Sequence, residues 1–174
     1  VKERGFSATS SCPHMPNYAD LLVRQDAGHT LANYEKVLHI GLKGIRDEIV
    51  YAKEKAEAPY NKFGRKKKLE FYEAALICID ACIAHAKRYA DLAKTMAKNE
   101  SDSVRKAELE KIAAVCEVVP ANPATNWWEA CQSFWFTHLF ILLEQINYGD
   151  SFGRFDQYMY PYYKKSVEDE KIMS

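Results

Sequence analysis

The chain has 174 residues and carries 24 basic against 24 acidic side chains, a formal net charge of zero. At 48% hydrophobic and 13% aromatic, with only 7 Gly and 6 Pro, it is neither a disordered nor a collagen-like sequence. Balanced charge gives no long-range attraction to nucleic acid or anionic lipid, and apolar runs such as Leu139 to Leu143 fall far short of the ~20 residues of a membrane span.

Residues 1–32 show no clear periodicity and are punctuated by Pro13, Pro16 and Gly28, which predicts loop. Asn33 is a good N-cap for a helix that starts near Tyr34. Val37, Leu38, Leu42, Ile45, Ile49 and Ala52 follow three-four spacing, so that helix buries one face and ends before Pro59. Gly41 and Gly44 each weaken it by roughly 1 kcal/mol relative to Ala, a cost that makes sense where another backbone comes close. The basic word Arg65-Lys-Lys-Lys68 reads as a solvated helix start, because the rest of the chain has no basic face.

A long helix follows over about 66–98, with Leu69, Tyr72, Leu76, Ile79, Ile83 and Ala86 stepping by three and four. Cys78, Cys82 and His85 fall close together on it, but no fourth ligand stands at a recognisable spacing, so no metal site is assigned. Ser101 or Asp102 caps a helix through about Glu117, and Pro120 and Pro123 make a rigid connector. Thr125 or Asn126 opens the next helix, about 126–145, with Glu129 in its first turn. That helix is apolar nearly all round, which predicts deep burial. Asn147-Tyr-Gly-Asp150 is a turn, and Phe155 to about Asp169 is helical, with Pro161 tolerable only near a start or a kink.

The five cysteines, Cys12, Cys78, Cys82, Cys116 and Cys131, are odd in number, and four lie in apolar helical patterns. They read as reduced thiols of a cytoplasmic protein. The chain contains no phosphate-binding glycine loop, no paired-Cys zinc spacing and no nucleophile elbow. Arg154 and Asp156 sit among aromatic residues, where an unpaired charge is costly, so the pair is expected to act as a structural clamp with each other or with another buried group.

Three words carry a family resemblance: Val119-Pro-Ala-Asn-Pro-Ala, Trp128-Glu-Ala-Cys-Gln-Ser-Phe-Trp-Phe, and Ser151-Phe-Gly-Arg-Phe-Asp-Gln-Tyr-Met-Tyr-Pro-Tyr-Tyr. Upstream, Gly28-His29, Asn33-Tyr-Glu-Lys-Val-Leu and Gly41-Leu-Lys-Gly-Ile extend it to about residues 25–172. The chain resembles the glycyl radical enzymes, the superfamily of pyruvate formate-lyase, in the branch of B12-independent glycerol dehydratase. The resemblance implies a mainly α piece, a helical slice of a ten-stranded α/β barrel. Residues 1–174 would be part of a single pyruvate formate-lyase-like domain, with 1–32 a loop-rich pocket segment and 33–174 helical.

The family carries a catalytic Cys on one loop, in a Cys-x-Glu setting, and a radical Gly on another; neither word occurs here. The resemblance therefore implies no catalytic residue in this segment, an inactive fragment, and a glycyl radical on a residue outside this chain, with no other cofactor bound. It implies a radical SAM activating enzyme as partner, a homodimer for the full-length enzyme, and a small-molecule substrate. His29 stands where the branch's His bonds a substrate hydroxyl. Where the branch has the His-Ser of an Asn-Gly-His-Ser turn, this sequence has Tyr148 and Gly149. That departure speaks against glycerol or propanediol and for a different or bulkier substrate. The expected reaction is radical elimination of the dehydratase type, with decarboxylation or C–N cleavage as alternatives within the family. From other classes, a non-catalytic helical interaction module and a helical metal or haem binder remain open. On its own the chain should expose the aromatic face of residues 126–163 and self-associate.

Overall fold

A computed structural model describes residues 31–58, 64–144 and 150–171. The elements are α1 (Tyr34–Glu57), α2 (Arg65–Asn99), α3 (Ser103–Val118), α4 (Trp127–Glu144) and α5 (Phe155–Tyr163), followed by a π-helical turn (Lys164–Asp169). No strand occurs among the described residues. Most of the expected loop-rich segment 1–32 lies outside them.

Asn33 caps α1, its side chain accepting the Lys36 N–H at 3.0 Å. The helix is broken at Gly41, whose φ of 67° and ψ of 172° no helix contains. The break redirects main-chain groups to the connector after α3. Leu42 N–H donates to the Pro120 carbonyl at 2.8 Å and Lys43 N–H to that of Ala121 at 3.0 Å. Ala124 N–H takes up the Leu38 carbonyl at 2.9 Å. These three groups, which the kink would otherwise strand, are thus paired, as buried backbone must be.

Arg46 pairs with Asp80 and Lys53 with Glu73, so α1 and α2 run antiparallel. These pairs are exposed and contribute little stability each. α3 turns back along α2 after the Asp102 cap, whose carboxylate accepts the Val104 N–H at 2.9 Å. The α2–α3–α4 contact seats one large ring against small residues: Phe136 with Ala86, Ala90 and Cys116 forms one buried cluster. A second cluster joins the start of α1, the connector, α4 and α5 through Tyr34, Leu38, Val119, Ala130, Tyr158 and Met159. Full burial of a side chain such as Leu38 contributes roughly 2 kcal/mol.

The α4 start combines two devices. Asn126 Oδ1 accepts the Glu129 N–H at 3.0 Å, and the Glu129 carboxylate reaches back to the Thr125 N–H at 2.7 Å and hydroxyl at 2.8 Å. The apolar α4 is buried on one side only by the described residues. Ala130, Ser133 and Phe136 are buried, but Trp128, Trp135, Leu142 and Leu143 are exposed on the opposite side. The described residues cover one face of this helix and leave the other open. The exposed aromatic surface expected over 126–163 is present. Pro161 lies in the last turn of α5, where Lys164 N–H bonds both the Pro161 and Tyr160 carbonyls before the chain widens into the π-helical turn.

Candidate functional site

Beneath the first turn of α1, polar and aromatic side chains from three elements converge. Tyr34 is buried, and its hydroxyl lies 3.0 Å from His138 Nδ1 of α4, a hydrogen bond between residues far apart in sequence. Phe134 and His138 are one helical turn apart, so they share a face of α4. Their rings stack with an interplanar angle of 2°, while Phe134 also packs on Tyr34 at 4.8 Å between centroids. Phe152 closes the cluster edge-on to both, 4.9 Å from His138 and 5.1 Å from Phe134. Tyr158 of α5 stacks on Tyr34 and donates its hydroxyl to the Phe152 carbonyl at 2.7 Å.

Burial raises the Tyr34 hydroxyl above its ordinary pKa, and the charge of Asp150 adds to the rise. Tyr158 is pushed up to about 12, first by burial and then by Tyr34. Both phenols therefore stay protonated at neutral pH and serve as hydrogen-bonding groups. Leu31, Asn33, Glu35, Phe152, Gly153 and Arg154 border an open cleft of about 430 Å³ beside this cluster. Gly153, at φ 65°, is tight against Leu31: a Cβ there would stand 3.0 Å from Leu31 Cδ1.

His29, Tyr148 and Gly149, the expected substrate contacts, lie outside the described residues. The described stretches that adjoin them, Leu31–Tyr34 and Asp150–Gly153, meet at this cluster. Arg154 and Asp156 are both exposed, and among the described residues they make no ion pair with each other; Arg154 Nη1 is 3.5 Å from Gln157 Oε1. Cys78 is exposed, and His85 Nδ1 faces the Arg88 guanidinium at 2.7 Å. Among the described residues no three His, Cys, Asp or Glu side chains are grouped to hold a metal ion. Sequence reasoning missed Tyr34, His138 and Asp150 as a group. The available signal was a single imidazole on an otherwise apolar helix, one turn beyond a phenylalanine.

Residues 11–174 match the family described as "Pyruvate formate lyase-like". The chain belongs to this family. It is 47% identical over 143 residues to the isethionate sulfite-lyase of Desulfovibrio desulfuricans, an alignment covering 80% of this chain and 17% of that protein. The glycerol-bound B12-independent glycerol dehydratase of Clostridium butyricum is 42% identical, with a TM-score of 0.76 over 80% of this chain and 18% of that one. A glycyl radical enzyme from Archaeoglobus fulgidus is 34% identical, with a TM-score of 0.78 over 86% of this chain and 19% of that one. The resemblance read from the sequence is therefore correct, and the chain corresponds to a helical slice of the glycyl radical enzyme fold. It spans about 17% of the length of the curated relative it matches.

Proposed function

We propose that this chain is part of a glycyl radical lyase that removes a leaving group from a small hydroxylated substrate. The observation that carries this reading is the joint likeness to an isethionate sulfite-lyase at 47% and to a glycerol-bound dehydratase at 42%. Isethionate and glycerol differ in what leaves and share a hydroxyl. When formed, the glycyl radical, on a residue outside this chain, supplies hydrogen abstraction through a cysteine that also lies outside it.

The residues present here would bind and enclose. His29 would hydrogen-bond the substrate hydroxyl, and Tyr148 would line the pocket with an aromatic body and one hydroxyl. The Phe134, Phe152 and Phe155 rings would supply apolar lining to the water-poor setting such chemistry needs once the rest of the protein covers them. Arg154 and Asp156 would find their clamp partners in the rest of the protein. A radical SAM activating enzyme, a homodimeric assembly and a cytoplasmic location belong to the same proposal, as does inactivity of the 174 residues alone.

A second reading concerns the leaving group. Tyr148 and Gly149 replace the His-Ser that serves hydroxyl-rich substrates in the glycerol dehydratase branch. Together with the likeness to isethionate sulfite-lyase, this favours a hydroxyalkyl sulfonate, with sulfite leaving in place of water.

The test is anaerobic expression of the protein with the sequences that flank these residues in its source, together with an activating enzyme. Electron paramagnetic resonance would read the glycyl radical, and product analysis would compare isethionate, glycerol and 1,2-propanediol. Radical formation with turnover of isethionate alone supports both readings. Aldehyde from the diols supports the dehydratase reading. No turnover of these three, with carbon dioxide released from an added carboxylate substrate or amine released from an added amino substrate, would replace both by a decarboxylase or C–N lyase.

A further inference from the structure

We propose that Tyr34 and His138 form a proton-coupled redox pair, in which Tyr34 yields an electron to a radical oxidant of the thiyl class and His138 takes up its proton. The class of the oxidant rests on the functional reading above, whereas the pair itself rests on geometry. Both side chains are buried, and the Tyr34 hydroxyl lies 3.0 Å from His138 Nδ1, within the range over which a proton passes directly between two heavy atoms. A neutral imidazole has one donor and one acceptor nitrogen. With the phenol donating to Nδ1, the ring proton sits on Nε2, and Nδ1 presents the lone pair that receives the phenolic proton.

A buried phenol is hard to oxidise while its proton has nowhere to go, because the product is a cation in apolar surroundings. A base within hydrogen-bond reach removes that obstacle. Tyr34 loses one electron to the thiyl sulfur, its O–H bond breaks, and an N–H bond forms at His138 Nδ1. The sulfur gains that electron and a proton from solvent and becomes a thiol. A neutral phenoxyl radical and an imidazolium remain, one positive charge more than before. Asp150 lies near enough to Tyr34 for its negative charge to act on the phenol, so the new charge forms close to an opposite one.

The neighbouring phenol lacks such a base. Tyr158 stacks on Tyr34 with ring centroids 6.1 Å apart, but its hydroxyl donates to the Phe152 carbonyl. A backbone carbonyl accepts a hydrogen bond and is too weak a base to keep the proton. An electron vacancy that reaches either ring therefore settles on Tyr34. Burial keeps the radical there from the ring-to-ring coupling that consumes exposed tyrosyl radicals. The pair thus gives radical chemistry a place to hold an oxidising equivalent that has strayed from its site.

The test uses the protein with its flanking sequences and without activation, so that no glycyl radical contributes. A photogenerated ruthenium(III) complex supplies the one-electron oxidant, and freeze-quench electron paramagnetic resonance reads the product. The expected result is a tyrosyl signal that outlives those of exposed tyrosines and gains fluorine splitting when a ring-fluorinated tyrosine replaces Tyr34. His138→Leu should cut its yield by roughly tenfold or more, and Tyr158→Phe should retain it. A long-lived signal without fluorine splitting overturns the proposal, as does the lack of any long-lived signal or a full yield in His138→Leu. If His138→Leu does not fold, the rate of signal formation in deuterium oxide takes its place: slowing is expected, and an unchanged rate overturns the proposal. If the activated protein turns over no substrate, the functional reading and the thiyl class of oxidant fail together, while the fluorine-split signal still decides the pair.

Discussion

Gly41 lies directly against the backbone of Ala121: a Cβ built on Gly41 would stand 2.6 Å from the Ala121 carbonyl oxygen. The approach is possible only because the helix breaks there, and the break is what gives Leu42 and Lys43 their hydrogen bonds to the connector. One glycine therefore joins the first helix to the segment that orients α4.

Gly41→Ala should destabilise the protein by roughly 3 kcal/mol or more. The positive-φ, extended backbone of Gly41 is essentially reserved for glycine and costs Ala about 1–3 kcal/mol, and the clash is with main chain that no rotamer change relieves. Gly44→Ala should cost less, because the atoms it meets belong to the Ile40 side chain. Denaturant midpoints for the two variants check this order. A Gly41→Ala loss below about 1 kcal/mol would mean that the connector does not press on the helix.

Much of this was readable from the sequence because it is local. Asn33 and Asp102 have cap side chains, and the helices they open show three-four apolar spacing, so both starts were found. The close approach at Gly41 followed from the cost of placing glycine inside a helix. Gly44 did not share it, since only the three-dimensional kink reveals that Ile40 fills that space. The Tyr34–His138 contact joins residues from distant parts of the chain, and no periodicity encodes such a pair. The open side of α4 was legible, by contrast, as an apolar helix with more surface than this stretch of chain can cover. Composition tells how apolar a helix is, and not which residues cover it.

Ser166 is a second long-range contact with a measurable consequence. It is buried, and its hydroxyl accepts the Trp127 N–H at 3.0 Å, one of the first-turn donors of α4. Ser166→Ala leaves that donor without its partner, and an expected loss of about 1–3 kcal/mol follows. Asn126→Ala should cost about 1 kcal/mol by removing the local cap. Native-state hydrogen exchange separates the two variants, since Ser166→Ala should release the Trp127 amide specifically.

Stability should fall in alkaline solution. Burial pushes the Cys116 thiol from 9.0 up to about 11, and the Tyr158 phenol is raised from 10.0 to about 12. A raised pKa means that the fold favours the protonated form. The associated stability is present in full below the unfolded-state value and is lost as pH rises through the folded-state value. For Cys116 that window runs from about 9 to about 11, and for Tyr158 from about 10 to about 12. The Cys116 contribution is of order 2 kcal/mol. Denaturation followed from pH 8 upward checks the trend, and Cys116→Ala should flatten its first part. At pH 8, iodoacetamide should modify exposed Cys78 well before buried Cys116.

Trp128, Trp135 and Leu142 recur every seven residues along α4, and all three are exposed. Seven residues are close to two helical turns, so these side chains form one stripe down the open side of the helix. Leu143 beside them and Ile112 on α3 widen it. An apolar strip of this kind in water drives association, because covering it releases surface water. The 174-residue chain by itself should therefore form concentration-dependent oligomers in sedimentation. Trp135→Gln combined with Leu142→Gln should shift them toward monomer and leave the helical content unchanged. The full-length protein should not respond in this way if the remainder of the chain already covers the stripe. A monomeric wild-type chain at high concentration would show that the stripe is too small to hold a partner.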